Sequence, residues 1–346
     1  MLVYLMVMLV NTYYIGHLNN PVLLAGVGMG NMLINVLCFA VTQGMNSALE
    51  SFVSHSFGAG KYDKCGILLN RGKFVSSMVM VPLIIIYIFS EEILVALHQD
   101  RAISHIAKRY CCILIPGIWA QSMFDATRKF CSAQFITSVA LYVQIFTLVL
   151  HFFWCWLFIT HLDMKEVGAA IATNITYIAN WMLQETWCKR NLGTTTYKPA
   201  DKKMFNKVGK YLKVAIPGAC MLCFEWWVFE LLAIFSGLMS VEALAAEVVI
   251  VNIVSFIFML PLGISYAASA FTGIFLGANK VPQAKKYARL TMLFNIFLTI
   301  IVIIILGLLR TQISHLFTHD DGTTFIIMDV LSIILLYIFF DTIHGV

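Results

Sequence analysis

The sequence predicts an all-α polytopic membrane protein, and its composition and its long apolar runs are the two observations behind that prediction. Hydrophobic residues make up 60% of the chain, charged residues only 12%, and the mean hydropathy is +0.85. A soluble domain carries about 25% charged residues, so this chain lacks the charge that a water-exposed surface needs. Helices are expected because they pair their backbone polar groups internally, where lipid offers no partner.

The apolar runs predict about ten transmembrane helices, since each reaches the length of about 20 residues that crosses the hydrocarbon core. The positive-inside rule then places the basic loops in the cytoplasm, the longest of them between residues 189 and 213. No basic loop carries an aromatic stacking platform, so we expect no nucleic-acid partner. The predicted spans lie near residues 1–15, 22–45, 74–96, 109–133, 136–160, 167–188, 211–236, 243–270, 287–309 and 324–346.

An internal repeat predicts two related bundles. Residues 57–61 (FGAGK) and 276–280 (LGANK) are 219 positions apart, and similar residues align ahead of both segments. The repeat contains six predicted helices, an even number, which indicates a parallel repeat about the membrane normal and about twelve helices in two six-helix bundles. Two copies of this length exceed the 346 residues, so the start of the first helix and the last two helices are expected to be missing. We predict an N-terminal bundle at 1–190, a basic cytoplasmic linker at 191–210 and a C-terminal bundle at 211–346.

Ionisable residues inside the predicted spans are the first functional candidates, because such residues are costly in lipid. Glu225 and Glu230 lie five residues apart, about 140° around a helix, so they face different directions. Asp341 lies in the last predicted span. A carboxylate in a cavity can hold a proton or a cation, but not both, and this competition is the simplest physical basis for antiport.

Other acids in the sequence have simpler interpretations. Asp125 is close in sequence to Arg128 and Lys129, which favours a local ion pair. Glu50 is near a cytoplasmic helix end, where helix packing or interfacial pairing is expected. Glu185 is near a span end and is expected to contact headgroups or water.

Aromatic residues and prolines extend the candidate site. Trp226 and Trp227 could stack on an organic cation, with helix packing as the alternative. Proline inside a membrane helix removes a backbone hydrogen bond and permits bending, which suits alternating access. The hinge candidates are Pro116, Pro217 and Pro261.

The sequence contains no sign of an enzyme. No Walker loop, Rossmann fingerprint, GxSxG or HExxH pattern occurs, and the nine cysteines give no metal or disulfide framework. We therefore expect no catalytic site, no metal site and no cofactor other than H⁺ or Na⁺ as a coupling ion.

Several motifs resemble the eukaryotic branch of the multidrug and toxic compound extrusion (MATE) family. The resemblance covers nearly the whole chain and implies two six-helix bundles that face each other in a V around a central cavity. It also implies antiport of organic cations or other metabolites against H⁺ or Na⁺, coupled through Glu225, Glu230 and Asp341. The motifs are 43–50 (QGMNSALE), 56–60 (SFGAG), 225–227 (EWW) with Glu230, 267–269 (AAS) and 276–278 (LGA).

The sequence also departs from the family pattern. Asn11 stands where bacterial relatives place an aspartate, and asparagine cannot titrate. Asn252 stands where some animal members carry a glutamate, and Phe271 replaces an arginine that many eukaryotic members carry. Asn11 and Asn252 are therefore cavity candidates, but the substrate preference of relatives cannot be transferred.

The sequence favours a secondary antiporter that exports organic cations, xenobiotics or metabolites. One alternative is a lipid-linked oligosaccharide flippase of related architecture. Such a flippase would usually need a strongly basic cavity, whereas these spans contain acids. A second is a truncated relative that does not transport, whereas a seven-helix receptor conflicts with the number of spans. The expected partners are small organic molecules and the bilayer, and the chain is expected to be a monomer in the plasma membrane or a vacuolar or other endomembrane.

Overall fold

The computed structural model describes residues 2–18, 20–239, 241–317 and 321–344. Within these ranges the side chains of Glu230 and Asn252, and most side chains between residues 310 and 332, lie outside the description. All regular secondary structure in the described ranges is helical, so the predicted all-α class is confirmed. The helices are α1 Leu2–Gly16, α2 Pro21–Leu33, α3 Ala40–Gly58, α4 Tyr62–Ile88, α5 Ser90–Ala96, α6 Arg101–Ser132, α7 Ser138–Cys155, α8 Lys165–Leu192, α9 Val208–Met239, α10 Val241–Gly277, α11 Val281–Phe317 and α12 Asp321–His344.

Short segments join or cover these helices. A π-helical turn, Ile34–Phe39, makes α2 and α3 continuous, and a second one, Trp156–His161, extends α7. A 3-10 turn, Lys202–Phe205, precedes α9. The predicted span 22–45 is thus the first part of a longer helical segment.

Side-chain caps explain two of the helix starts. The Asn20 side chain accepts a hydrogen bond from the Leu23 N–H at 3.1 Å, and Pro21 occupies the first turn of α2. Proline is favoured there because a backbone N–H in the first helical turn has no acceptor within the helix. Asp100 accepts hydrogen bonds from the N–H groups of Ala102 and Ile103 at the start of α6, at 2.8 and 3.2 Å. Both caps satisfy donors that the first helical turn leaves unpaired.

The predicted span 74–96 was wrong in its C-terminal part. The helix α4 ends at Ile88, and α5 begins at Ser90. The Ser90 hydroxyl donates a hydrogen bond to the Tyr87 carbonyl at 2.8 Å. Such a local bond competes with the helical ladder, and Glu91 and Glu92, which follow at once, pair with Lys108 of α6.

The chain divides by packing into two units, Met1–Cys223 and Phe224–Val346, and the division falls inside α9. The first half of α9 belongs to the N-terminal unit because it packs closely on α3. A Cβ atom added at Gly44 would lie 2.4 Å from the Ala219 Cα, and the Tyr211 hydroxyl donates to the Met45 carbonyl at 3.2 Å. The predicted boundary between bundles at residue 211 stays a prediction.

The C-terminal unit has its own small core. Ile257 of α10, Leu306 of α11 and Ile338 of α12 are buried against one another. The Asn295 side chain of α11 donates to the Thr342 carbonyl of α12 at 2.7 Å. Apolar packing and one buried amide therefore hold these three helices together.

The outer helix faces have the character of a lipid-facing surface. Large apolar side chains such as Val149 and Leu308 are 66% and 75% exposed, which water disfavours and hydrocarbon tolerates. Six described helical segments are long and apolar enough to cross a membrane, while the predicted total of ten or twelve helices and the parallel repeat stay predictions. These segments are 21–58, 62–88, 138–161, 208–229, 254–277 and 281–309.

The contact between α3 and α9 gives a direct stability test. Gly44→Ala is expected to lower the free energy of unfolding by about 1–3 kcal/mol, because the added methyl group meets backbone and forces the helices apart. Gly28→Ala is the matched control, since a Cβ at Gly28 has no neighbour within 4 Å. Thermal unfolding in detergent measures both variants, and equal melting temperatures for the two would contradict the close packing.

Candidate functional site

Two of the predicted coupling carboxylates lie together in the C-terminal unit. Glu225 of α9 and Asp341 of α12 are both half-buried, and Asp341 lies close enough to act electrostatically on Glu225. The Tyr337 hydroxyl, one turn before Asp341 on α12, donates a hydrogen bond to Asp341 Oδ1 at 3.2 Å. His344, one turn after Asp341, is the nearby basic group. The arrangement is a paired-carboxyl site with one neutral donor and one basic neighbour.

Aromatic rings lie on the same two helices as this pair. The Phe229 ring, one turn after Glu225, meets the Tyr337 ring edge to face, with centroids 6.2 Å apart and an interplanar angle of 85°. Trp227 meets Phe224 in the same geometry at 6.4 Å, and its side chain is 38% exposed. Trp226 is half-buried. The ring that contacts Tyr337 is thus Phe229, while the stacking roles proposed for the two tryptophans stay predictions.

Sequence reasoning missed Tyr337, although a signal for it exists. A tyrosine four residues before a buried acid lies on the same helix face. Two other predicted residues, Glu230 and Asn252, lie on α9 and α10, but their side chains are outside the described part of the structure. Their roles also stay predictions.

Asn11, in the N-terminal unit, takes part in a buried hydrogen-bond network. Its side chain is 1% exposed and donates to the Thr173 hydroxyl of α8 at 2.8 Å. Cys155 of α7 lies 3.4 Å from Asn11 Oδ1 and 3.3 Å from His151 Nε2. Asn11 therefore ties α1 to α7 and α8.

The direction of this network assigns the tautomer of His151. The Thr176 hydroxyl donates to the Ala172 carbonyl at 2.9 Å, so its oxygen accepts from His151 Nδ1 at 2.8 Å. The proton is then on Nδ1, and the single Cys155 S–H proton is shared between two acceptors, Asn11 Oδ1 at 3.4 Å and His151 Nε2 at 3.3 Å. His151 is fully buried and was not a sequence-based candidate, although an ionisable residue inside an apolar span is a signal for one.

A buried charge cluster links α3, α4 and α6. Asp125 pairs with Arg128 at 2.5 Å, which confirms the predicted local ion pair, and accepts from the Asn46 side chain at 2.9 Å. Asn46 in turn accepts from Ser76 at 2.9 Å. Glu50 is 3% exposed and accepts from the Ser132 hydroxyl at 3.3 Å, so helix packing describes it better than interfacial exposure.

The expectation that Glu185 contacts headgroups or water was wrong. Its carboxylate is 12% exposed and pairs with Lys73 of α4 at 2.6 Å. It also accepts hydrogen bonds from Thr127 and from Tyr197. The sequence did not reveal the pair because Lys73 and Glu185 are 112 residues apart.

The three predicted hinge prolines lie inside α6, α9 and α10. Next to Pro116 the neighbouring helix inserts a side chain into the hydrogen-bond ladder, between the Gly117 N–H and the Ile113 carbonyl. Asn174 of α8 accepts from the Gly117 N–H at 2.7 Å and donates to the Ile113 carbonyl at 2.7 Å. Gly117 is required there, since a Cβ would lie 2.3 Å from Asn174 Oδ1. Insertion of a side chain into the ladder is an identifiable cause of a bend.

Long apolar helices that carry interacting carboxyl groups and buried amide networks define an integral, multi-pass membrane protein of the transporter class. The sequence model of the MatE family matches residues 1–157 and 201–346. The chain belongs to this family of membrane transporters.

Named relatives and a solved structure agree with this membership. Protein DETOXIFICATION 12 of Arabidopsis thaliana is 26% identical over 99% of this chain and 71% of its own length. Multidrug and toxin extrusion protein 2 of Mus musculus is 28% identical over 98% of this chain and 59% of its own length. The crystal structure of the eukaryotic MATE transporter AtDTX14 matches with a TM-score of 0.92 at 23% identity, over 99% of this chain and 77% of that one. The last likeness confirms the fold.

The insertion of Asn174 beside Pro116 gives a second stability test. Asn174→Leu is expected to lower the free energy of unfolding by about 1–3 kcal/mol, because it leaves a buried donor and a buried acceptor without partners. Asn191→Leu is the control, since Asn191 is exposed and its one side-chain hydrogen bond among the described residues is to the Trp187 carbonyl of its own helix. The measurement is thermal unfolding in detergent, and an unchanged Asn174→Leu variant would show that the helix satisfies these groups by itself.

Proposed function

We propose that this chain is a secondary active antiporter that exports organic cations, xenobiotics or metabolites in exchange for H⁺ or Na⁺. The observation that carries the proposal is the Glu225 and Asp341 carboxyl pair, with the Tyr337 hydroxyl bonded to Asp341, in the C-terminal unit. The names of the Arabidopsis and mouse relatives describe detoxification and multidrug extrusion in those proteins, which supports export of foreign compounds here.

The chemistry of the pair supports coupling. Two carboxylates close together in a medium of low dielectric constant repel each other strongly. One bound cation relieves that repulsion, and a proton, a sodium ion or an organic cation can each supply the charge. Because these cations compete for the same negative charge, binding of one favours release of another. This linkage is the thermodynamic requirement for exchange.

The neighbouring groups support selection of an organic cation. An aromatic ring attracts an organic cation through its quadrupole by about 0.5–2 kcal/mol, and Phe229 and Trp227 lie on the same helix as Glu225. Pro116, Pro217 and Pro261 would permit helix bending during alternating access. We further propose that the protein acts as a monomer in the plasma membrane or an endomembrane and uses no cofactor besides the coupling ion.

Transport in proteoliposomes tests the proposal. We expect gradient-driven uptake of a fluorescent organic cation such as ethidium, under an imposed proton or sodium gradient. Glu225→Gln and Asp341→Asn should each reduce that uptake at least tenfold, because a single carboxyl group has no partner whose repulsion a bound cation could relieve. The control is Glu92→Gln, since Glu92 lies on α5, outside the six long apolar segments, and its side chain is exposed. Full uptake in both carboxyl variants, or no uptake of any cation under either gradient, would contradict the proposal.

Tyr337 gives a graded prediction for the same site. Tyr337→Phe keeps the ring that contacts Phe229 and removes the hydrogen bond to Asp341. A single such bond is worth about 0.5–1.5 kcal/mol, so the variant should lower transport by a factor of roughly two to ten and not abolish it. A decrease as large as that of Asp341→Asn would mean that the hydroxyl has a direct role in transport, and no decrease would mean that the bond has none.

A further inference from the structure

The N-terminal unit contains a cavity that the proposed transport site does not use. Its volume is about 680 Å³, and α4, α6 and α8 form its walls. Residues 193–204, which belong to the predicted linker between the bundles, cover one side. The cavity therefore lies where the basic linker meets three helices of the N-terminal unit.

The rim of the cavity carries a net positive charge. Lys73 and Glu185 neutralise each other at 2.6 Å, and Glu185 also accepts from Thr127 and Tyr197. Lys189, one turn after Glu185 on α8, is exposed at the same rim and lies close enough to repel the Lys73 ammonium group. With the carboxylate already paired, the charge of Lys189 is left to attract an anion.

The deeper wall of the cavity is aromatic. Trp119 and Trp181 meet edge to face with ring centroids 5.0 Å apart. The Trp119 N–H donates to the Ser77 hydroxyl at 3.1 Å, so the two rings present mainly their apolar surfaces to an occupant.

The surroundings of the cavity point to an occupant with an apolar chain. Met78 and Val81 on α4 and Met182 on α8 are 57%, 59% and 57% exposed, which marks the adjoining helix faces as lipid-facing. Lys189 is two helical turns from Trp181, so about 12 Å separate the charged rim from the tryptophan level. Tryptophan at this distance from basic side chains is typical of the interfacial belt of a bilayer.

We propose that this cavity binds one acidic phospholipid of the leaflet that faces the basic loops. The phosphate would lie at Lys189, and an acyl chain would lie along the rings of Trp181, Trp119 and Phe74. Basic pockets between membrane helices on the cytoplasmic side bind acidic headgroups by the same chemistry. The proposal does not depend on the transport mechanism.

The bound lipid would stabilise the linker on the helices. Asn70 of α4 donates to the carbonyl groups of Lys198 and Pro199, both at 3.1 Å, and Arg71 donates to the Met204 carbonyl at 3.0 Å. The approach is so close that a Cβ at Gly66 would lie 2.8 Å from Lys198. Since the same segment covers the cavity, a lipid inside it would contact the linker and all three helices together.

Native mass spectrometry of the purified protein with equal amounts of phosphatidylserine and phosphatidylcholine tests this site. The wild type should retain one phosphatidylserine with about a tenfold preference, and Lys189→Gln should remove most of that preference. Arg190→Gln is the matched control, because Arg190 is adjacent and exposed but does not line the cavity. Trp181→Phe should weaken retention of both lipids alike. Thermal unfolding in phosphatidylcholine alone should be unchanged in all three variants, which shows that they fold.

Three results would overturn the proposal. The first is equal retention of the two lipids by the wild type. The second is an equal loss of preference in Lys189→Gln and Arg190→Gln, which would indicate diffuse attraction to the basic surface. The third is displacement of the lipid by millimolar inorganic phosphate, which would make the cavity a site for a free anion.

Discussion

The constraint on which this structure depends is that lipid cannot hydrate a polar group, so a polar group inside the membrane is costly unless it has a partner within the protein. Backbone groups find theirs in the helices. Next to Pro116 in α6, the Asn174 side chain bonds both the Gly117 N–H and the Ile113 carbonyl. Where charges are buried, they form ion pairs, such as Asp125 with Arg128 and Lys73 with Glu185. The polar side chains that connect the helices are therefore the ones that provide hydrogen-bond partners for groups that the lipid cannot hydrate.

Against this background the Glu225 and Asp341 site is different. The buried acids of the N-terminal unit each have a basic residue within 4 Å or a place in a hydrogen-bonded cluster. In the C-terminal unit Asp341 lies close enough to act electrostatically on Glu225, and the hydrogen bond to Asp341 comes from the neutral Tyr337 hydroxyl. Such a site has uncompensated negative charge, which a mobile cation can neutralise. An acid that is permanently paired with a basic residue has no such charge left. This contrast separates acids that stabilise the fold from acids suited to coupling.

Much of this could be predicted from the sequence, and the failures share a physical cause. Apolar length and the rarity of charge predicted the helical membrane class, and short motifs such as 43–50 carried the resemblance to the MATE family, because both are local properties of the chain. Asp125 was interpreted correctly, since its partner is three residues away. Glu185 was misjudged because Lys73 is distant in sequence, and His151 was missed because its partner Thr176 lies on another helix. Tyr337 was missed although its partner Asp341 is only four residues away. The break between α4 and α5 at Phe89 was not predicted because one serine hydroxyl can end the helix within an otherwise apolar run.

The central claim is that an organic cation and the coupling ion compete for the same carboxyl pair. The most direct measurement is the release of protons or sodium ions when the detergent-solubilised protein binds an organic cation in weakly buffered solution. The account predicts release of about one coupling ion for each cation bound, as linkage requires when two ligands exclude each other, and no release from a Glu225→Gln and Asp341→Asn double variant. Cation binding by the wild type with no release of either ion would contradict the claim.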